Sequence, residues 1–183
     1  MMKVFAFFAE GYEEIEGLTV IDILRRADIE VDMISVTDEL SVAGAHGIVV
    51  NMDKTVGKVN FAEGDMIFLP GGIPGTPNLE KCEVLIKNIL EYNKTGKKLA
   101  AICAAPSIYG HLGILEGKKA TCYPGFEDEL KGAVTVNDKV VTDGNITTSR
   151  GMGTSIDLGL EIVKIFKGEG LATELGRKIQ YYI

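Results

Sequence analysis

Three short runs of the chain are apolar at almost every position: residues 4–9, 66–69 and 99–102. A strand buried on both faces reads this way, because neither side of it meets water. Between these runs apolar residues recur at helical spacing, over 15–27 and over 79–93, where Leu85, Ile86, Ile89 and Leu90 share a face and Gly96 follows as a stop signal. Residues 29–50 alternate in a strand-like way, with Gly44 and Gly47 as turn positions. Residues 139–148 read as a hairpin turning at Asp143-Gly144. Two helices, 155–166 and 169–179, meet at Gly168 and close the pattern.

Strands alternating with helices require right-handed crossovers and a sheet covered on both sides. The expected fold is therefore α/β, with a mostly parallel central sheet, helices on both faces and a small antiparallel hairpin. No repeat, low-complexity stretch or Pro/Ser-rich linker interrupts the pattern, so residues 1–183 are read as one domain. The first helix departs from the usual surface pattern. Ile15, Leu18, Val20, Ile21, Ile23 and Leu24 spread around nearly its whole circumference, which calls for either deep burial within one subunit or a homodimer seam.

Charge narrows the partners. A net charge of −7 with dispersed Lys and Arg offers no basic face, which argues against nucleic acid as the primary ligand. The first apolar run is too short for a signal segment and is followed at once by Glu10, Glu13 and Glu14, and no stretch approaches a membrane span. A cytoplasmic protein without membrane attachment is expected. Cys82, Cys103 and Cys122 lack the close spacing of zinc or dithiol motifs and read as reduced thiols.

Of the three, Cys103 stands in the most telling context. An apolar strand runs into Cys103-Ala104-Ala105-Pro106, small residues flank the cysteine, and the proline suits a first helical turn. A nucleophile elbow needs this pattern, since the sharp turn leaves no room for large neighbours; Ala101 and Ala105 occupy the required offsets. A thiol at a helix start is expected to have a lowered pKa. Cys82 and Cys122 are read as small buried hydrophobes. His111 falls about 12 Å along the following helix and points away, and His46 sits in the hairpin, so no Cys-His triad is evident. The carboxylates of Glu10, Glu13, Glu14 and Glu16 follow the first strand, at the sheet edge where Cys103 must lie, although helix starts attract acidic residues without any function. Gly71 and Gly72 follow the 66–69 strand at the same edge and could offer open backbone N–H groups to an oxyanion.

Residues 10–26, Leu69-Pro70-Gly71-Gly72, residues 100–106 and residues 148–155 together resemble the ThiJ/PfpI superfamily in its DJ-one-like branch, the parkinsonism-associated deglycase group. The resemblance implies a flavodoxin-like three-layer sandwich, usually a homodimer, that uses neither metal nor organic cofactor. It implies Cys103 as nucleophile, Glu16 as a carboxyl hydrogen-bonded to it, and oxyanion donors at Gly72 and Ala104; a carboxylate beside a thiolate is a like-charge pair, so Glu16 is expected to be protonated and to donate to the sulfur. His46 and Arg26 would lie on the dimer side of the pocket, and Arg150 in the turn before a helix. Two positions depart from relatives: Tyr123 stands where close relatives often carry histidine, and Ala104 where the protease-like branch carries histidine. The implied activities are conversion of methylglyoxal or glyoxal to hydroxy acids and repair of early glycation adducts; a non-enzymatic redox sensor or chaperone relying on oxidation of Cys103 is the alternative.

Overall fold

The computed structural model describes residues 2–182. Its centre is a seven-stranded sheet whose strands are, in chain order, β1 (Lys3–Phe8), β2 (Glu30–Ser35), β5 (Lys54–Thr55), β6 (Met66–Leu69), β7 (Lys98–Ile102), β10 (Val140–Asp143) and β11 (Ile146–Ser149). Across the sheet they run β10-β11-β7-β6-β1-β2-β5. All neighbours are parallel except β10 and β11, which form the hairpin turning at Asp143-Gly144. A second hairpin, β3 (Ser41–Ala43) with β4 (Val49–Asn51), turns through residues 44–48.

Alternate residues of β1 feed two cores. Val4, Ala6 and Phe8 pack with α1 (Glu14–Arg26), α5 (Ser155–Lys167) and α6 (Glu169–Lys178), while Phe5 and Phe7 pack with α2 (Gly75–Glu80), α3 (Glu83–Thr95) and α4 (Pro106–His111). The period of two in a strand thus builds a three-layer sandwich from one continuous apolar run. Every β1 residue is buried, as the run demanded.

Two features differ from the sequence reading, and a third decides between alternatives it left open. The helix expected over 79–93 is two helices, because Cys82 takes extended backbone between them and lets Leu79 and Leu85, both fully buried, reach the core from separate axes. A short parallel pair, β8 (Lys119–Ala120) with β9 (Val134–Thr135), had no periodic signal to announce it. The apolar circumference of α1 is mostly explained within the subunit: the sheet covers one side and α5 the other, burying Val20, Ile21, Ile23 and Leu24. Ile15 remains 49% exposed and Leu18 partly so.

Candidate active site

The site forms where four turns meet at the carboxyl edge of the sheet: those after β1, β6, β7 and β11. Cys103 follows β7 directly and has φ +65°, in the left-handed region that a non-glycine residue enters at a cost of about 1–2 kcal/mol. Backbone bonds over-determine that geometry. The Cys103 N–H donates to the Ser149 carbonyl of β11 at 2.9 Å, and the Cys103 carbonyl accepts from the Tyr123 N–H at 2.9 Å. Ala101 and Ala105 are fully buried beside it, so the small residues of the elbow are a packing requirement.

Glu16 reaches the cysteine from the first turn of α1. It is 1% exposed, hydrogen-bonded to the Cys103 side chain, and its Oε2 accepts the Gly71 N–H at 2.9 Å. The Met152 N–H, from the turn after β11, donates to the same carboxyl. Burial pushes Glu16 up to about 7; the bonds from Cys103, Gly71 and Met152 oppose the rise, and the charge of Glu13 adds to it. On the sulfur, burial is again the largest influence, followed by the Glu16 charge and hydrogen bond, and all three drive the thiol pKa upward. The N–H groups of Ala104 and Gly72 pull the other way and lose. This overturns the expected lowering of the Cys103 pKa: α4 is only six residues long, and desolvation outweighs what its first turn supplies. The thiol and carboxyl form one coupled pair that retains at least one proton at neutral pH.

The two glycines divide their work. Gly71 commits its N–H to Glu16, so it is not a free oxyanion donor as the sequence suggested; Gly72 and Ala104 face the sulfur. A Cβ on Gly71 would fall 2.7 Å from the Cys103 Cβ and 2.7 Å from Glu16 Oε2, which is why no side chain fits there. Gly151, at the turn after β11, faces both the Tyr123 ring and the Glu16 carboxyl. Gly151 and Met152 were not singled out from the sequence; the only signal was their place within the 148–155 segment.

Of the other expected residues, Tyr123 lies at the mouth of the site, and its N–H anchors the cysteine carbonyl. His46 is exposed: its Nδ1 stands 2.9 Å from Glu14 Oε2 and 3.5 Å from Glu13 Oε2, and its N–H donates to Glu14 Oε1 at 2.7 Å. Its pKa is raised, first by the Glu14 bond. Buried Glu14 thereby ties the β3–β4 hairpin to the start of α1, a structural role for one of the clustered glutamates. Glu13, Glu14 and His46 are close enough to share an ion, but both Glu14 oxygens already accept bonds from the hairpin. Arg26 is not brought to the site within this chain. It lies ten residues past Glu16 on α1, about 15 Å along the axis, and pairs with Asp22 on the surface. Arg150 is held by Asn137 Oδ1 at 2.8 Å. His111 bridges Glu80 and Glu129 at 2.6 and 2.9 Å, away from Cys103. No helix among the described residues is long and apolar enough to cross a membrane.

Comparison with known proteins extends the picture over nearly the whole chain. A protein of Pyrococcus horikoshii named a deglycase is 34% identical over 169 residues, covering 91% of this chain and 100% of that one. The DJ-1 homolog B of Arabidopsis thaliana is 39% identical over 175 residues, 94% of this chain but 40% of its own length. This chain thus spans about two-fifths of the Arabidopsis relatives it matches. Among solved structures, Toxoplasma gondii DJ-1 in an oxidised form superposes with a TM-score of 0.96 at 32% identity, covering 100% of both chains. Drosophila melanogaster DJ-1beta superposes with a TM-score of 0.94 at 29% identity, covering 100% of this chain and 99% of the other. With a family model matching residues 2–165 and these relatives aligned across the same fold, the chain belongs to the DJ-1/PfpI family.

Proposed function

We propose that this protein is a cofactor-independent glyoxalase and deglycase, acting on methylglyoxal, glyoxal or the early adducts they form with amines. The observation that carries the reading is the Cys103–Glu16 pair, a partly buried thiol in hydrogen-bond contact with a buried carboxyl, with the N–H groups of Gly72 and Ala104 turned towards the sulfur. The family's deglycase-named relatives support the same reading.

In the proposed reaction the Cys103 sulfur attacks the aldehyde carbon while Glu16 takes the thiol proton and returns it to the new alkoxide, giving a hemithioacetal. Glu16 then removes the proton on that carbon and redelivers it to the neighbouring carbonyl carbon, while the hemithioacetal hydroxyl proton passes to the neighbouring carbonyl oxygen. One carbon is oxidised and its neighbour reduced, so no external oxidant is needed. The product is a thioester that water cleaves to a 2-hydroxy acid and free thiol. Gly72 and Ala104 hold the oxyanions that form along the way. A pKa near 7 suits Glu16 to both taking and giving a proton at neutral pH.

The test measures lactate formed from methylglyoxal by purified wild type, Cys103→Ser and Glu16→Gln, with Cys103 alkylation followed in parallel. Loss of lactate by about 10²-fold or more in Glu16→Gln, with alkylation retained within several-fold, is the expected result. A fully active Glu16→Gln would remove Glu16 from the proton relay. A wild type that makes no lactate would leave the redox-sensor reading in the lead, which the oxidised state of the Toxoplasma relative favours.

A further inference from the structure

Three elements leave the Cys103 site and meet again at one side chain. α4 runs from the cysteine turn, where the Ser107 N–H donates to the Ala104 carbonyl at 3.0 Å, and ends on His111. α2 runs from the Gly72 turn, where the Thr76 N–H donates to the Gly72 carbonyl at 2.8 Å, and ends on Glu80. The third is the segment after Tyr123, whose own N–H holds the Cys103 carbonyl. In it the Phe126 N–H donates to the Tyr123 carbonyl at 3.1 Å and the Glu129 N–H to the Phe126 carbonyl at 3.0 Å. His111 stands eight residues past Cys103 and Glu80 eight past Gly72, so two helices of equal length, about 9 Å each, carry them away from the site. At their far ends His111 Nδ1 lies 2.6 Å from Glu80 Oε1, and Nε2 lies 2.9 Å from Glu129 Oε2.

A carboxylate only accepts hydrogen bonds, so both contacts hold together only when both ring nitrogens carry protons. The bridging ring is therefore an imidazolium. A neutral imidazole keeps one N–H and turns a lone pair towards the other carboxylate, which frees either α2 or the turn Glu127–Glu129. The charges facing the ring are Glu80 from α2 and Glu129 from that turn; Lys131 acts in turn on Glu129, and α4 contributes no charge besides His111 itself. The Glu129 bond is the largest cause of a raised His111 pKa, so the bridge is closed below the ordinary histidine value and opens as pH rises through the folded one. Buried Leu130 and the close packing of Gly110 on the Glu129 carbonyl keep the segment attached when it opens. What changes is how firmly the far ends are tied.

We propose that His111 is a positioning residue for the Cys103 site: its imidazolium ties α2 and the segment 123–129 to the end of α4 and so holds the Gly72 and Ala104 N–H groups and the Tyr123 anchor in fixed relation, a tie that deprotonation opens. The activity part of this proposal rests on the glyoxalase reading. Oxyanion donors act on charge that develops in the transition state, so slack between them appears in kcat rather than in KM. Hydrogen bonds between charged groups are worth tenfold or more when buried; partial exposure of this bridge reduces that to about three- to tenfold.

Two measurements test this. The first is kcat for lactate formation from methylglyoxal at pH 6 and pH 9 in wild type, His111→Gln and His111→Arg. Titration of Glu16 and Cys103 is common to all three and cancels in variant-to-wild-type ratios. His111→Gln is expected to fall about three- to tenfold below wild type at pH 6 and to match it at pH 9. His111→Arg, whose guanidinium donates to two carboxylates without titrating, is expected to match wild type at pH 6 and to exceed it by the same factor at pH 9. A purely structural role would leave kcat of the folded enzyme alike in all three. The second measurement needs no turnover: hydrogen-exchange protection of the Thr76 and Tyr123 amides, relative to those of β1, which report global unfolding. Wild type is expected to exceed His111→Gln by about three- to tenfold at pH 6 and to equal it at pH 9. A wild type that makes no lactate but shows this protection difference would refute the glyoxalase reading and leave the tie standing. Equal protection at pH 6, or kcat ratios that do not change between pH 6 and pH 9, would overturn it.

Discussion

Glu16→Gln offers a direct test of the electrostatics, because burial of an ionisable carboxyl leaves a pH-dependent mark on stability. Glu16 has a pKa raised from 4.5 to about 7 in the folded chain. Its folded value is the higher one, so the native state binds the proton more tightly. The associated stability is complete below about 4.5 and is lost as pH rises through 7. Integrating between pH 5 and pH 8, wild type gives up about 2.5 kcal/mol that glutamine, which does not titrate, keeps. Glutamine also brings a fixed cost. Its amide can accept from only one of the Gly71 and Met152 N–H groups and turns its own N–H towards the other, a mismatch of about 1–2 kcal/mol at every pH. The informative quantity is therefore the change in the wild-type-to-variant difference with pH. Urea unfolding at pH 5 and pH 8 is expected to show the variant gaining about 2.5 kcal/mol on wild type across that interval. In thermal melts the gain corresponds to about 5–10 °C for a chain of this size. A difference that stays constant with pH would show that Glu16 titrates normally, and with it the argument for a proton-retaining pair would fall.

Other outcomes follow from the same geometry. Gly71→Ala is expected to destabilise the fold by about 1–3 kcal/mol and to abolish lactate formation, since its methyl would meet the Cys103 Cβ, Glu16 Oε2 and the Ile102 carbonyl oxygen within 3 Å; a soluble, fully active variant in melting and activity assays would contradict the packing. His111 has its pKa raised, chiefly by the Glu129 bond, so the stability from its protonated bridge is present below its unfolded value and is lost as pH rises through the folded one; His111→Gln is expected to lose more stability at pH 6 than at pH 9, and equal losses would remove the bridge as a contributor. With sub-stoichiometric iodoacetamide, peptide mapping is expected to find Cys103, which is partly exposed, labelled ahead of Cys122, which is buried; the pKa of both thiols is raised, so access decides the order, and equal labelling would undo the accessibility argument. The residual exposure of Ile15 and Leu18 on α1 leads to the expectation of a dimer at micromolar concentration, shifted towards monomer by Leu18→Glu; a monomeric wild type in sedimentation would defeat it.

Much of this site is written in short-range pattern. The apolar run of β7, the small residues around Cys103 and the proline at the start of α4 all act within a few residues, where sterics and periodicity decide the outcome, and the elbow was legible from them. The same holds for the strands at 66–69 and 99–102 and for the hairpin at Asp143-Gly144, because burial on both faces and turn chemistry leave local marks. What the sequence could not determine is where each donor points and how dry the site is. Gly71 meets a carboxyl 55 residues away, and Met152 meets it from the opposite end of the chain, so the assignment of Gly71 to Glu16 and Gly72 to the sulfur exists only once four turns converge. The direction of the thiol pKa depends on that same convergence. A helix start is visible in sequence and argues for a lowered value, whereas desolvation is a property of everything packed around the sulfur and here outweighs it. The covering of α1 by α5, and the placing of Arg26 at the far end of α1 from the site, likewise belong to the tertiary structure, since an apolar circumference records that a helix is covered without recording by what.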